Sequence, residues 1–328
     1  MRLPQWLVSP HFSRAHDVLD VNAFEIRGVG DSIRGLYPLT AMMNSSCRPN
    51  TQNSIDTDWV CRVRAVRAIS KGEEITDTYT TTLSNTLFRR KQLKDSKYFD
   101  CSCARCSDPT EFGSHFSTLL CRSKGCGGYV LCRQPLIYSS TWACLKCGVE
   151  VEGEEVRREQ EEWEEKVEAA PREIKVQEEL LQSLRQVYHP SHNLCTDVMF
   201  NLLPMYGARG GKEELVEEAE KKEKLCEELL TTMDKVIPGG FRMRGMMLVE
   251  QHTTKSFLLR CRLEAKESSK SQFVRRLAGL RAPLVEAITI LGYEPEGSLE
   301  HARMLQAQKY LKQLESVVNS AGKTLLND

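Results

Sequence analysis

Three cysteines stand within six residues at Cys101, Cys103 and Cys106, in the run C-S-C-A-R-C. Thiols at C-x-C and C-x-x-C spacing suit a tetrahedral ion better than disulfides, because one ion can collect thiolates from a single turn. Three donors leave such a site incomplete, so a fourth must arrive from elsewhere in the fold. Cys47 is the best candidate: it sits in the turn-rich run NSSCRPN, where Pro49 and Asn50 would fix the backbone around the thiol. A second set follows at Cys121, Cys126, Cys144 and Cys147, in LLCRSKGCGGYVL and WACLKCG. Gly follows the second and fourth of these, a ribbon-like pattern in which each tight turn presents two thiolates to one ion. Zinc held by four thiolates has no open coordination position, so both sites are expected to be structural. Thirteen cysteines less these eight leave Cys61, Cys132, Cys195, Cys226 and Cys261, which lie singly among apolar or helical residues and read as inert core thiols. A reducing compartment is implied.

Two further motifs stand in fixed order with these thiols. MMNSSCRPN occupies residues 42–50, GEEITDTY occupies residues 72–79, and the C-x-C-x-x-C run follows. In these motifs, and in NAF at Asn22 to Phe24 and GLYP at Gly35 to Pro38, the chain resembles the SET domain of the SMYD (SET and MYND) lysine methyltransferase family, particularly its arthropod SmydA-like members. The likeness continues through the ribbon and through YHPSHN and PGGFRMRG, and so covers nearly the whole chain.

The resemblance implies an S-adenosylmethionine-dependent protein lysine N-methyltransferase acting on histones or other proteins. It implies Asn44 as the amide that holds the cofactor and Ser45 as a backbone contact. Asn22, Met43 and Phe99 match further cofactor-pocket positions, Phe99 offering an aromatic face to the adenine. Tyr79 matches the catalytic tyrosine, which also borders the cofactor. Methyl transfer to an amine needs a neutral lysine held in line with the methyl carbon, so positioning and exclusion of water carry most of the chemistry. Without the motifs these residues have plainer readings: Tyr79 as a strand-end core tyrosine, Phe99 packed on a zinc knuckle, Asn44 and Asn50 as turn formers.

Departures from the family pattern are specific. The Gly-rich cofactor segment and the MYND finger are not visible before Val18, and Gly28-Val29-Gly30 lies where the family has a variable turn. The chain is therefore expected to start midway through the SET fold. The His of the family's N-H-S-C is Ser45, and a tyrosine that some relatives place two residues before the adenine-stacking Phe is Lys97. The alternative to an enzyme is a catalytically inactive, zinc-stabilised scaffold that binds protein partners through its helical region.

Positioning these residues falls to an α+β arrangement. Val18 to Tyr79 shows short apolar segments punctuated by Gly, Asn, Pro and Asp, and the alternation over Val60 to Arg67 predicts a strand with one wet face. A short helix is expected over LFRRKQLKDSKYF. Beyond Gly148 the composition changes abruptly to Glu, Lys, Leu and Gln, placing a boundary near Gly153. The expected partition is 1–100 for the C-terminal part of a SET domain, 101–152 for the post-SET and ribbon-like zinc region, and 153–328 for an all-α, tetratricopeptide-like domain. Breakers at Pro171, His189-Pro190-Ser191, Gly207 to Gly211, Pro238-Gly239-Gly240 and Gly292 to Gly297 divide the last part into amphipathic helices.

Charge sets limits on partners. Lys plus Arg equals Asp plus Glu at 45 each, so no global field draws the chain to polyanions. Arg122, Lys124, Arg133 and Lys146 give the ribbon some positive charge but no wider basic surface, which argues against nucleic acid. No apolar stretch approaches a membrane span. The expectation is a cytoplasmic or nuclear protein with a protein substrate or partner.

Overall fold

The computed structural model describes residues 18–26, 33–207 and 211–325. Its first part is built from paired short strands. Strand β1 (Ala23–Ile26) runs antiparallel to β2 (Ile33–Leu36), and a single turn of helix, α1 (Pro38–Ala41), leads into β3 (Asn44–Ser45). Strand β4 (Thr51–Ile55) forms a hairpin with β5 (Cys61–Ala65). Asp56 shapes the hairpin turn, its Oδ1 accepting from the Asp58 and Val60 amides at 3.1 and 2.9 Å, an arrangement suited to Asp because its carboxylate mimics a backbone acceptor. The strand expected over Val60 to Arg67 is thus present, but Val63 stays 38% exposed, as a two-stranded sheet offers little cover. Strand β6 (Thr76–Asp77) returns to lie parallel to β3.

Helix α2 (Thr86–Lys97) starts where the Asn85 side chain accepts from the Phe88 amide at 2.8 Å, satisfying one of the donors that a helix start leaves open. It stops at Tyr98, which takes a left-handed φ of 60°. Leu93 on its inner face is fully buried among Cys47, Cys101 and Cys106, worth about 1.5–3 kcal/mol of apolar transfer. The single turn α3 (Ala104–Ser107) follows, then four antiparallel strands in the order β10-β9-β8-β7: Leu119–Leu120, Tyr129–Cys132, Trp142–Cys144 and Glu150–Val151 for β7 to β10.

The helices begin at the composition change. They are α4 (Gly153–Ala169), α5 (Ile174–Leu184), α6 (Asn193–Leu202), α7 (Lys212–Val236), α8 (Arg242–Glu264), α9 (Lys270–Gly279), α10 (Arg281–Leu291) and α11 (Leu299–Leu325). Each break read from the sequence falls between two of them. Two breaks were missed: Ala265 to Ser269, where Ser269 and Gln272 form a capping box, and Leu280, which ends α9 and opens α10 between Gly279 and Pro283. The capping box had a legible S-x-x-Q signature.

One hydrophobic core runs through the ribbon and the helices, from Phe116, Val130, Trp142 and Cys144 to Leu229, Leu248 and Ala307. The YHPSHN run is its seam: Tyr188 bridges to Leu119, the Asn193 amide donates to the Phe116 carbonyl at 3.1 Å, and fully buried His192 accepts from the Leu194 amide to start α6. PGGFRMRG joins the helices to the β-rich part. The Gly240 amide donates to the Val66 carbonyl at 2.7 Å, and Gly239, at φ +101°, comes so close that a Cβ there would collide with the same carbonyl. Gln52 donates to Glu294 at 2.8 Å and accepts from the Arg242 amide at 2.8 Å.

Candidate active site and metal centres

The four thiols of the first set converge. Cys47, Cys101, Cys103 and Cys106 place their sulfurs within 4.8 Å of one another, with Cys47 at 3.9 Å from Cys101 and 3.5 Å from Cys106. A tetrahedron with zinc–sulfur bonds of about 2.3 Å has edges of about 3.8 Å, close to the two Cys47 distances, so the four thiols are placed to hold such an ion. Cys121, Cys126, Cys144 and Cys147 meet the same criterion, with sulfur pairs at 3.6 Å. There Gly128 is required: a Cβ would stand 2.7 Å from the Cys144 sulfur. Among the described residues these are the two groups of three or more ligand side chains placed to hold a metal. Cys61 and Cys261 are half-buried, and Cys132, Cys195 and Cys226 are buried, all outside the two groups.

Sequence reasoning missed what surrounds the first cluster. Arg89, Arg105 and Glu111 are 0–1% exposed. Glu111 accepts from Arg89 at 2.9 Å and from Arg105 at 2.8 Å, and also from the Ser117 hydroxyl. Arg89 reaches the Cys106 sulfur at 3.6 Å, and Arg105 donates to the Cys47 carbonyl at 3.1 Å. Four thiolates around a dication leave two negative charges, and two guanidinium groups less one carboxylate return one positive charge. The buried triad would therefore offset half of the charge of a filled site. Burial alone would raise the Glu111 pKa, but the charges of Arg89 and Arg105 outweigh it and hold the carboxyl at about 2. Glu111 also sits at φ 49°, next to Phe112 at φ 60°, a conformation that disfavours side chains. Asp108 holds the loop there by accepting from the Thr110 and Phe112 amides at 2.8 and 2.7 Å. The legible trace was the Arg-Arg pair in LFRRKQL, one turn before Leu93.

Parallel pairing of β3 and β6 brings Asn44 beside Thr76 and Ser45 beside Asp77, so the two sequence motifs become neighbours. Asn50, 1% exposed, stitches them: it donates to the Glu74 carbonyl at 2.7 Å and to the Glu73 carboxylate at 3.1 Å, and accepts from the Thr76 amide at 2.8 Å. Tyr79 follows β6, half-buried, its amide donating to the Ser45 hydroxyl at 3.3 Å and its own hydroxyl to the Met43 carbonyl. Burial, then the nearby Asp77 charge, raises the Tyr79 pKa, so the hydroxyl stays a donor.

Met43, Asn44, Ser45 and Tyr79 are thus assembled in one place. Asn44 is exposed and its amide donates to Glu74 at 2.6 Å. Asn22 donates to the Val18 carbonyl at 3.0 Å and borders the same cleft as Tyr79. Phe99 is 36% exposed, and among the described residues no ring or hydrogen-bond contact ties it to Tyr79 or Asn44. Gly28-Val29-Gly30 lies outside the described residues. Lys97, where relatives were expected to carry a tyrosine, holds its ammonium 5.8 Å from the Tyr79 ring centre.

The cleft beside Tyr79 has a volume of about 630 Å³ and lies between the β-rich part and the helices. Glu25, Asp77, Glu294 and Glu300 face it against the cations Lys97 and Arg242. A second groove, of about 520 Å³, is enclosed by α8, α9 and α11 and lined by His252, Phe257, Arg260, Phe273 and Tyr310. Among the described residues no helix is long and apolar enough to cross a membrane.

A β-rich unit with a four-cysteine cluster, a cysteine ribbon and an all-helical region is the architecture these observations define. Comparison with known proteins agrees: the SET domain family model matches residues 13–80. The SET domain-containing protein SmydA-8, isoform A, of Drosophila melanogaster is 45% identical over 134 residues, 40% of this chain and 29% of that protein. The histone-lysine N-methyltransferase ASHR1 of Arabidopsis thaliana is 34% identical over 160 residues, 46% of this chain and 31% of that protein. The histone-lysine N-methyltransferase SMYD3 of Homo sapiens is 43% identical over 72 residues, 22% of this chain and 17% of that protein. The chain carries a SET domain of the SMYD type. It spans under a third of the length of these relatives.

Proposed function

We propose that this chain binds S-adenosylmethionine and transfers its methyl group to a lysine side chain of a protein. The observation that carries the reading is the position of Tyr79. Its hydroxyl reaches back to the Met43 carbonyl, beside Asn44 and Ser45, while its ring borders the cleft between β-rich part and helices. One residue therefore touches both the strand assigned to the cofactor and the space open to a substrate. The cofactor supplies an electrophilic methyl group on a sulfonium. What the chain supplies is position and desolvation: the Asn44 amide and the Ser45 backbone to hold the cofactor, Phe99 to face its adenine, and Tyr79 to orient the amine. Four carboxylates against two cations in the cleft favour a basic, lysine-bearing peptide. Two structural zincs hold the donor strands in place.

The test is calorimetric titration of S-adenosylmethionine into the zinc-loaded chain, followed by labelled methyl transfer to a lysine peptide. Binding should be lost in Asn44→Ala, and transfer should fall at least about a hundredfold in Tyr79→Phe with binding retained. No binding by a folded, zinc-loaded chain would sink the reading. The groove between α8, α9 and α11 favours a second one, a zinc-stapled scaffold that docks a protein partner against Phe257, Phe273 and Tyr310. That reading predicts partner binding that Tyr79→Phe leaves unchanged and Tyr310→Ala weakens.

A further inference from the structure

Lys97 closes helix α2, and its side chain enters the cleft rather than solvent. Its Nζ donates to the Val21 carbonyl and lies 5.8 Å from the centre of the Tyr79 ring. Lys97, Tyr79 and Asn22 all line this cleft. The charges that act on it are Arg34 and, in the opposite sense, Asp20, which pair with each other at 3.4 Å. Among the described residues no carboxylate forms an ion pair with Lys97, whereas Lys94, one turn earlier, is exposed and pairs with Asp100 at 3.3 Å. Lys97 is half-buried, its amine held by a backbone carbonyl beside an aromatic ring. The same surroundings describe how an acceptor amine would be held. Burial first, and Arg34 next, lower the Lys97 pKa from its usual value, which enlarges the neutral fraction that can act as a nucleophile.

We propose that Lys97 is itself a methyl acceptor, modified in cis by the site it lines. The inference rests on the reading of Tyr79 and Asn44 as parts of an S-adenosylmethionine-dependent site. The lone pair of neutral Nζ forms a new carbon–nitrogen bond as the methyl–sulfur bond of S-adenosylmethionine breaks. S-Adenosylhomocysteine leaves, and the methylated ammonium gives one proton to water. A monomethylated Nζ retains a hydrogen for the Val21 carbonyl.

The experiment incubates the zinc-loaded full chain with methyl-labelled S-adenosylmethionine and locates the label by mass spectrometry, with cofactor binding measured on the same preparation. Label at Lys97, gained at a rate per molecule that does not change on dilution and absent from Lys97→Arg, is the expected result. Lys97→Arg keeps the cation and a donor for Val21, so loss of label there does not report misfolding. A cofactor-free readout accompanies it: in competitive acetylation across alkaline pH, Lys97 should titrate below the free-lysine range. Label on other lysines or on an added peptide with none at Lys97 overturns the inference and leaves the proposed function standing. Cofactor binding with no label anywhere overturns the inference and removes catalysis from the proposed function. No cofactor binding overturns both. A Lys97 that acetylates like an ordinary exposed lysine, or acquires label in proportion to concentration, also overturns it.

Discussion

Glu111 shows how a single residue carries the electrostatics of the first cysteine cluster. It is the one carboxylate between two fully buried guanidinium groups, so replacing it with Gln leaves buried cations without their counter-ion, a class of change that costs about 3–5 kcal/mol. Urea denaturation should show that loss at neutral pH. The pH dependence has a definite sign. The folded pKa of Glu111, about 2, lies below its ordinary 4.5, so its contribution is fully present above that ordinary value and is lost as pH falls from there toward 2. Glu111→Gln should lack this part of the acid slope, while protonation of the thiolates destabilises both proteins alike. A variant that keeps the wild-type slope would show that the triad carries no net stability. Nothing in the local sequence announced Glu111. The tetrahedral fit of Cys47 with Cys101, Cys103 and Cys106, by contrast, follows from spacing once one remote donor is allowed, because coordination number is a property of the ion.

Among the elements, the parallel pairing of β3 with β6 and the docking of PGGFRMRG on β5 decide the shape of the candidate site. Gly239 is the element-scale test. At φ +101° and against the Val66 carbonyl, Gly239→Ala must both strain its own backbone and push α8 from β5, a penalty of about 1–3 kcal/mol from the backbone alone. Hydrogen exchange should quicken at Cys61–Ala65 and at the start of α8, with the ribbon unaffected; unchanged protection would mean that the helices are held mainly elsewhere. Helix limits were legible wherever Gly, Pro or a capping pattern stops the chain. The α9 to α10 junction at Leu280 was overlooked although Gly279 before it and Pro283 in the first turn after it mark a helix end and a helix start. Strand pairing was legible only as two motifs in order, since which strands join depends on partners far apart in sequence.

At the scale of the whole molecule the ribbon and the helices share one core, with Cys126 and Cys144, two of the thiols placed to hold a metal, inside it. Disrupting the ribbon's four-cysteine cluster should therefore weaken the helices as well. In Cys126→Ser, metal analysis should give one zinc per chain in place of two, and the helical circular dichroism signal should melt earlier, by about 2–4 °C for each kcal/mol lost in a unit of this size. A helical transition that does not move would show that the ribbon folds as a separate unit. The composition change near Gly153 coincides with the start of α4 but not with an end of the core. By itself the sequence determined the chemistry available: eight thiols at metal spacing, a motif order that resembles a SET domain, and breakers that divide a helical half. These depend on residue type and local geometry. The tertiary structure decided which groups meet: Asn50 across two motifs, Arg89 and Arg105 behind the cysteines, Lys97 beside Tyr79, and a cleft walled by both halves. Such contacts depend on the closure of long loops and on the burial of charge, and both are settled only when the whole chain has packed.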